Sequence, residues 1–270
     1  VKKEGKRKSR GKSEDQKNKN TGGKSNNVNG LNAPQKRNKI YNKFKKSDYD
    51  IISLQETHIK LEHADYLTQN KLGQEFHSLD TQKKRGVVTY ISSKIPAQLS
   101  FKDNEGRILG VTITIERTKI LLCNIYAPNG NKSAFTKKLK DLISNKEFDN
   151  MIIMGDFNGV LNYEIDKNPG KGHRKKTYKG TLPKDLQNFK EEYNLVDIWR
   201  LHHEGERDYT FFSERHKSWS RIDMIWVSNS LSIRSQSIKI SQTKLFRERK
   251  QTGEMALQEI EKEERGNLYK

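Results

Sequence analysis

Met151-Ile152-Ile153-Met154-Gly155-Asp156-Phe157-Asn158 is the stretch on which the reading of the fold turns. Four apolar residues run into Gly-Asp-Phe-Asn. A run this short and this apolar predicts a central strand buried on both faces. Residues two apart on a strand point the same way. Asp156 and Asn158 should therefore reach one spot at the rim of a sheet. A carboxylate buried without a partner is expensive, so a strand ending this way presents its acid to a metal, a water or a substrate. The alternative is a turn in which Asp and Asn cap the backbone. The stretch by itself is compatible with both.

Working outward, residues 132–146 carry Phe135, Leu139, Leu142 and Ile143 at helical spacing. Before them, 108–115 and 119–126 read as two strands, the second ending in Tyr126-Ala127-Pro128-Asn129. A strand at 85–92 precedes both. These consecutive strands predict antiparallel meanders rather than alternating strand–helix units. Asp50-Ile51-Ile52-Ser53-Leu54-Gln55-Glu56-Thr57-His58 is a second apolar run tipped by an acid. Residues 35–46 space Ile40, Tyr41 and Phe44 as a basic amphipathic helix.

On the far side, 164–181 is a basic Lys- and Gly-rich loop, and 182–195 a helix with Pro183 at its first turn. Tyr209-Thr210-Phe211-Phe212-Ser213 and 220–227 read as two late strands, with Ile238 and Ile240 marking one more. Strands outnumber helices, and the helices occur singly between strand groups. The predicted class is α+β, with two sheets packed and helices outside.

The ends differ in kind. Residues 1–25 hold ten Lys/Arg and three acids with Val1 as the one strongly apolar residue, a disordered basic arm. Lys6-Arg7-Lys8 within it suits nuclear import or phosphate contact, or is simply solvated. Residues 241–270 read as a charged helical or disordered tail, leaving 26–240 as the domain.

The 270 residues carry a formal charge of +19, with 31% hydrophobic content and a mean hydropathy of −1.01. Such a charge predicts a polyanion partner. The single cysteine, Cys123, excludes an intramolecular disulfide framework. No apolar run approaches a membrane span, and no apolar segment follows the basic N-terminus as in a secretion signal. A nuclear or cytoplasmic protein, not secreted, is expected. Trp199 and Trp226 read as core, Trp219 in its polar loop as the one placed to stack on a base. His58 reads as structural or surface.

The polar residues at strand ends are Asn27, Glu56, Tyr126 with Asn129, Asp156 with Asn158, Thr210 and Asp223. Acids and amides without a Cys/His cluster favour a hard, oxygen-ligated cation, Mg²⁺ or Mn²⁺. Such an ion suits phosphate chemistry.

Leu54-Gln55-Glu56-Thr57-His58, Asn124-Ile125-Tyr126-Ala127-Pro128-Asn129, Gly155-Asp156-Phe157-Asn158 and Ser220-Arg221-Ile222-Asp223 resemble the endonuclease/exonuclease/phosphatase superfamily, the DNase-I-like fold. The closer resemblance is to the endonuclease domain of LINE-type retrotransposons, to which Asn27-Val28-Asn29-Gly30-Leu31-Asn32 and Tyr209-Thr210-Phe211-Phe212-Ser213 also conform. The resemblance implies an α/β four-layer sandwich, two mixed sheets with helices on the outer faces. It implies DNA nicking by phosphodiester hydrolysis, with DNA as partner, Mg²⁺ (or Mn²⁺) as cofactor and no small-molecule cofactor. Glu56 would hold the metal with Asn27 nearby. Asp156 would orient the attacking water, Asn158 would touch the scissile phosphate, and Tyr126 would bind that phosphate or its leaving group. Asp223 would orient a late histidine, and Asn129, Thr210, Ser220 and Arg221 would face the DNA. A small phosphoester substrate fits the charge of +19 less well.

The sequence departs from that pattern at both ends. The superfamily's closing Ser-Asp-His is replaced by Ser241-Gln242-Thr243-Lys244, and no His or Asp follows Asp223. Thr21-Gly22-Gly23-Lys24-Ser25, ahead of Asn26, reads as too polar for the buried first strand, which would leave Asn27 loose. Weak or absent nicking is expected, the alternative being a catalytically dead basic nucleic-acid-binding remnant.

Overall fold

The computed structural model describes residues 21–169, 180–235, 238–242 and 253–257. The basic arm up to residue 20, including Lys6-Arg7-Lys8, lies outside the described residues, as does most of the basic loop and of the charged C-terminal tail.

In chain order the strands are β1 (Gly23–Asn27), β2 (Ile51–Gln55), β3 (Gln74–Ser78), β4 (Val87–Ile91), β5 (Ala97–Lys102), β6 (Ile108–Ile115), β7 (Thr118–Tyr126) and β8 (Asn150–Asp156). They continue with β9 (Lys167–Asn168), β10 (Leu195–Asp197), β11 (Phe211–Ser213), β12 (Ser218–Ser220), β13 (Asp223–Ser228), β14 (Ile240–Gln242) and β15 (Gly253–Leu257). The helices are α1 (Pro34–Phe44), α2 (Ser133–Ile143), α3 (Tyr163–Asp166), α4 (Lys184–Glu192), α5 (Ile198–His202) and α6 (Asn229–Ser232).

Two six-stranded sheets result, ordered β14-β15-β1-β2-β4-β3 and β10-β13-β8-β7-β6-β5, with a small third sheet β11-β12-β9. Both large sheets are mixed: β1 runs parallel to β2 and β7 parallel to β8, while the other pairings are antiparallel. The predicted antiparallel meander holds for β6 and β7, and β5, not predicted, extends it. β4 belongs instead to the other sheet, where it pairs β2 and β3.

Strand alternation builds the layers. Ile51, Val87 and Ile91 of one sheet pack against Leu122, Ile152, Met154 and Ile225 of the other. The alternate residues face outward. Ile52, Leu54 and Tyr90 meet Ile40, Tyr41 and Phe44 of α1. Leu121, Cys123, Ile153 and Trp226 meet Phe135 and Leu139 of α2 and Leu186 and Phe189 of α4. Each such side chain contributes about 1.5–3 kcal/mol of burial. The result is the four-layer α/β sandwich. Trp199, Trp226 and Cys123 are core residues, as the sequence suggests. Burial raises the Cys123 thiol far above its ordinary value.

Two segments differ from the sequence reading. Gly23–Asn27, read as too polar, is a buried strand paired along its length with β2. Its polar side chains are answered from outside the strand: Gln55 Nε2 donates to Ser25 Oγ at 3.1 Å, and the Lys24 ammonium lies 5.2 Å from the Tyr49 ring centroid. Residues 253–257, read as part of a helical or disordered tail, form β15 against β1. No helix among the described residues is long and apolar enough to cross a membrane.

Candidate active site

The strand directions bring the acid-tipped ends together. β1 and β2 run side by side to Asn27 and Gln55, with Glu56 next in the chain. β7 and β8 run side by side to Tyr126 and Asp156, and β13 starts opposite at Asp223. By alternation with the inward-facing Leu122, Met154 and Ile225, Tyr126, Asp156 and Asp223 face the space between the sheets. The site is the mouth of that inter-sheet cleft.

Asn27 is its hub, not a loose end. Its Nδ2 donates to Glu56 Oε1 and to Asp156 Oδ2, both at 2.8 Å. Its Oδ1 accepts from the Asn29 amide at 3.0 Å. Asp156 fulfils both readings of its stretch: Oδ2 meets Asn27, while Oδ1 caps the turn by accepting from the Asn158 amide at 2.8 Å. Asn158 sits at φ 48°, a left-handed conformation that asparagine tolerates. Its Nδ2 donates to Ala127 O at 2.8 Å, pinning the loop after Tyr126. Gly155, at φ +144°, lets β7 close in; a Cβ there would lie 2.0 Å from Ile125 O.

Tyr126 hydrogen-bonds to Glu56. Burial, then the charges of Glu56 and Asp156, hold its phenol far above the ordinary value, so it is a neutral donor. Arg107 fixes this ring, with Nη1 donating to Tyr126 O at 2.9 Å and the guanidinium 5.1 Å from the ring centroid. His58 Nε2 lies 3.2 Å from Glu56 Oε2, so a residue read as structural or surface in fact touches the site. Glu56 and His58 both take positive φ, at 53° and 55°.

Beneath them lies a buried polar layer that periodicity could not announce. Gln55 Nε2 donates to Asn124 Oδ1 at 2.8 Å across the sheets, and Asn124 Nδ2 donates to Val88 O at 3.0 Å and Thr89 Oγ1 at 3.1 Å. A largely bonded network in low dielectric is stiff, and it fixes the end of β2 from which Glu56 departs.

Other expected residues lie elsewhere. Thr210, expected at the DNA face, is buried, its Oγ1 accepting from the amides of Ile222 and Asp223 at 3.0 and 3.1 Å. It positions Asp223. Arg221, also expected to face DNA, is fully enclosed. Its Nε donates to Asp166 Oδ1 at 2.8 Å and its Nη2 to Asp197 Oδ2 at 2.7 Å. Two buried carboxylates claim the guanidinium, so it cannot reach outward. Ser220 is buried in β12 opposite Phe211. Asn129 is exposed on the loop after Tyr126, and Trp219, partly buried, packs 4.5 Å from the Phe212 ring.

The donor set suits a cation. Glu56 and Asp156 each bring an oxygen within 2.8 Å of one Asn27 atom, and the amide supplies a further oxygen. Among the described residues no group of three or more His, Cys, Asp and Glu forms a metal cage. Two carboxylates and an amide oxygen, with Glu56 partly exposed, fit a hard cation that keeps water and substrate oxygens as its remaining ligands.

Lys132 is the other residue that sequence reading passed over. It is 6% exposed among exposed neighbours, feels the field of Asp156, and has its ammonium lowered by burial and by Arg107.

Comparison with known proteins agrees with this geometry. Over 220 residues the chain is 26% identical to the Transposon TX1 uncharacterized 149 kDa protein of Xenopus laevis, covering 79% of this chain and 16% of that protein's length. It is 27% identical to the exodeoxyribonuclease of Bacillus subtilis over 241 residues, 80% of this chain and 91% of that one. The fold resembles AP endonuclease LMAP from Leishmania major, with TM-score 0.72 at 17% identity over 88% of each chain. It also resembles a 3′ phosphatase from Neisseria solved with a product DNA hairpin, with TM-score 0.65 at 20% identity over 89% of this chain and 99% of that one. Residues 25–243 match the Endonuclease/Exonuclease/phosphatase family, and with most of its length so matched the chain belongs to that family.

Proposed function

We propose that the chain is a divalent-metal-dependent DNA endonuclease of the LINE-retrotransposon type that nicks by hydrolysing a phosphodiester. The carrying observation is the convergence of Glu56, Asp156 and Tyr126 around Asn27 at the cleft mouth. The charge of +19 supports a nucleic-acid substrate over a small phosphoester. The transposon-encoded relative supports the LINE-type reading.

Glu56, with Asn27, would hold the cation. Bound there, Mg²⁺ or Mn²⁺ would neutralise charge on the phosphate oxygens. Asp156 orients and accepts a proton from the attacking water, whose oxygen forms the new bond to phosphorus as the bond to the leaving sugar oxygen breaks and that oxygen takes a proton from solvent. Tyr126, a neutral phenol, donates towards the phosphate. Asn158 and Asn129 border the phosphate from the β7 and β8 loops. Asp223 faces this group, and Ser241-Gln242-Thr243-Lys244 stands where the family pattern would close with Ser-Asp-His. General acid–base help is worth ~10²–10⁴-fold, so slow nicking is expected.

Supercoiled plasmid incubated with Mg²⁺ or Mn²⁺, beside Asp156→Ala and chelator controls, tests this. Slow metal-dependent nicking, lost in Asp156→Ala, is the expected result. DNA binding released by salt, with no nicking at any metal concentration, would favour the dead nucleic-acid-binding remnant.

A further inference from the structure

We propose that Lys132 is a phosphate-binding residue of this site, its ammonium pairing with a non-bridging oxygen of the DNA backbone phosphate drawn into the cleft. The inference rests on the nuclease reading above, but its physical basis is independent of it.

Lys132 is buried. Among the described residues its ammonium has no carboxylate within ion-pair distance, and its one hydrogen-bond partner is Gly130 O, at a long 3.4 Å. A buried charge is costly unless it is paired. The position compounds the cost. Lys132 is the N-cap of α2, an eleven-residue helix, and makes no side-chain cap bond there. The N-terminus of a helix carries partial positive charge and favours anions, so a cation on it is placed against the dipole. Arg107 adds a third positive charge within reach of the ammonium. Burial and Arg107 both depress the ammonium, and Asp156 is the nearby charge that favours it.

The Lys132 ammonium is thus set against two other positive groups, the helix N-terminus and Arg107, with Asp156 as the nearby acid. Nothing in the packing of α2 needs this amine, since the helix is anchored by Phe135, Leu139 and Ile143. An anion of phosphate chemistry would relieve all three at once. It would lie beside the carboxylates proposed to hold the cation, where a phosphodiester must sit for Asp156 to serve the water. Lysine suits this as a point charge with three donors.

The test compares wild type with Lys132→Met, which keeps the stem and removes the charge, and Lys132→Arg, which keeps the charge. In phosphate-free buffer Lys132→Met should melt no lower than wild type, because a buried unpaired charge has been removed. Inorganic phosphate should raise the Tm of wild type and Lys132→Arg, and raise that of Lys132→Met less. For a fluorescent DNA duplex, the slope of log affinity against log salt should fall in Lys132→Met by about 0.9, the value of one phosphate contact. Lys132→Arg should keep the wild-type slope. Equal slopes and equal phosphate shifts in wild type and Lys132→Met would overturn the proposal. So would a lower Tm for Lys132→Met with an unchanged slope, which is the signature of a structural lysine. If wild type binds no duplex, the nuclease reading falls, and Lys132 is then judged on the phosphate shift alone.

Discussion

Two clusters in this protein use the same ingredients to opposite ends. At the cleft mouth Glu56 and Asp156 share one amide nitrogen, and Glu56 also bonds a phenol. About the third sheet, Asp166 and Asp197 share the guanidinium of Arg221, and Arg200 Nη2 adds a bond to Asp166 at 2.5 Å. The second cluster is closed, with opposite charges matched and buried under Trp199, whose ring centroid lies 5.1 Å from the Arg221 guanidinium. It ties α3, the start of α5 and the chain just before Asp223 into one brace. The first cluster gathers its carboxylates around the amide of Asn27, with the phenol of Tyr126 and the imidazole of His58 on Glu56. Two arginines buried between the acids, not the presence of acids, mark the strut.

The brace should therefore fail by unfolding. Arg221→Met leaves two buried carboxylates without their guanidinium, and breaking a buried pair this way costs about 3–5 kcal/mol. Chemical denaturation should show that loss, and Arg221→Lys should recover only part of it, since lysine cannot bond two carboxylates as a fork. If Arg221→Met unfolded at the wild-type midpoint, the contrast between the clusters would collapse.

Sequence reading reached the two clusters unequally. Apolar runs announce β2, β4, β7, β8 and β13, because strands buried on both faces must be continuously apolar, and alternation around Thr112 and Thr114 announces β6. That placed Glu56, Tyr126, Asp156 and Asp223 correctly at strand ends. β3 and β5 were missed because they are edge strands, with Gln74, Glu75, Gln98 and Leu99 at least partly open to solvent. β1 was misread because its stability comes from its neighbours: Ser25 is held by Gln55, and Lys24 by Phe44 and Tyr49. Strand propensity is largely such context. Arg221 was placed on the DNA side because an arginine in a sequence does not declare whether its partner is a phosphate or a distant Asp166. Lys132 went unremarked for the same reason, at a helix start whose burial only the fold creates.

Acid should sharpen the contrast. Burial alone would raise the Asp166 carboxyl, but the charge and hydrogen bonds of Arg221, with a backbone bond from Asn162 and one from Arg200, hold it below its ordinary value. A depressed carboxyl contributes stability that is fully present above its unfolded value of about 3.9 and lost as pH falls through the folded value. Denaturant midpoints of wild type should therefore drop steeply below about pH 4. Asp166→Asn, less stable at neutral pH, should show a shallower acid limb over the same window. Parallel limbs would mean the brace is not what acid dissolves.

The smallest effect on stability should come from the site itself, where it matters most to chemistry. Tyr126→Phe removes the hydroxyl that hydrogen-bonds to Glu56 and leaves the ring under Arg107. The ring's burial is kept and Glu56 can turn to water at the open cleft, so the midpoint should move by no more than about 1 kcal/mol. Glu56, however, loses a group that orients it. Loss of such an orienting partner typically costs about 10–100-fold in metal affinity or activity. A metal titration of nicking should therefore show a higher metal requirement in Tyr126→Phe, at a stability close to wild type. The reverse, a large stability loss with an unchanged metal requirement, would make Tyr126 a strut like Arg221. It would also move the boundary between the two clusters inside the cleft.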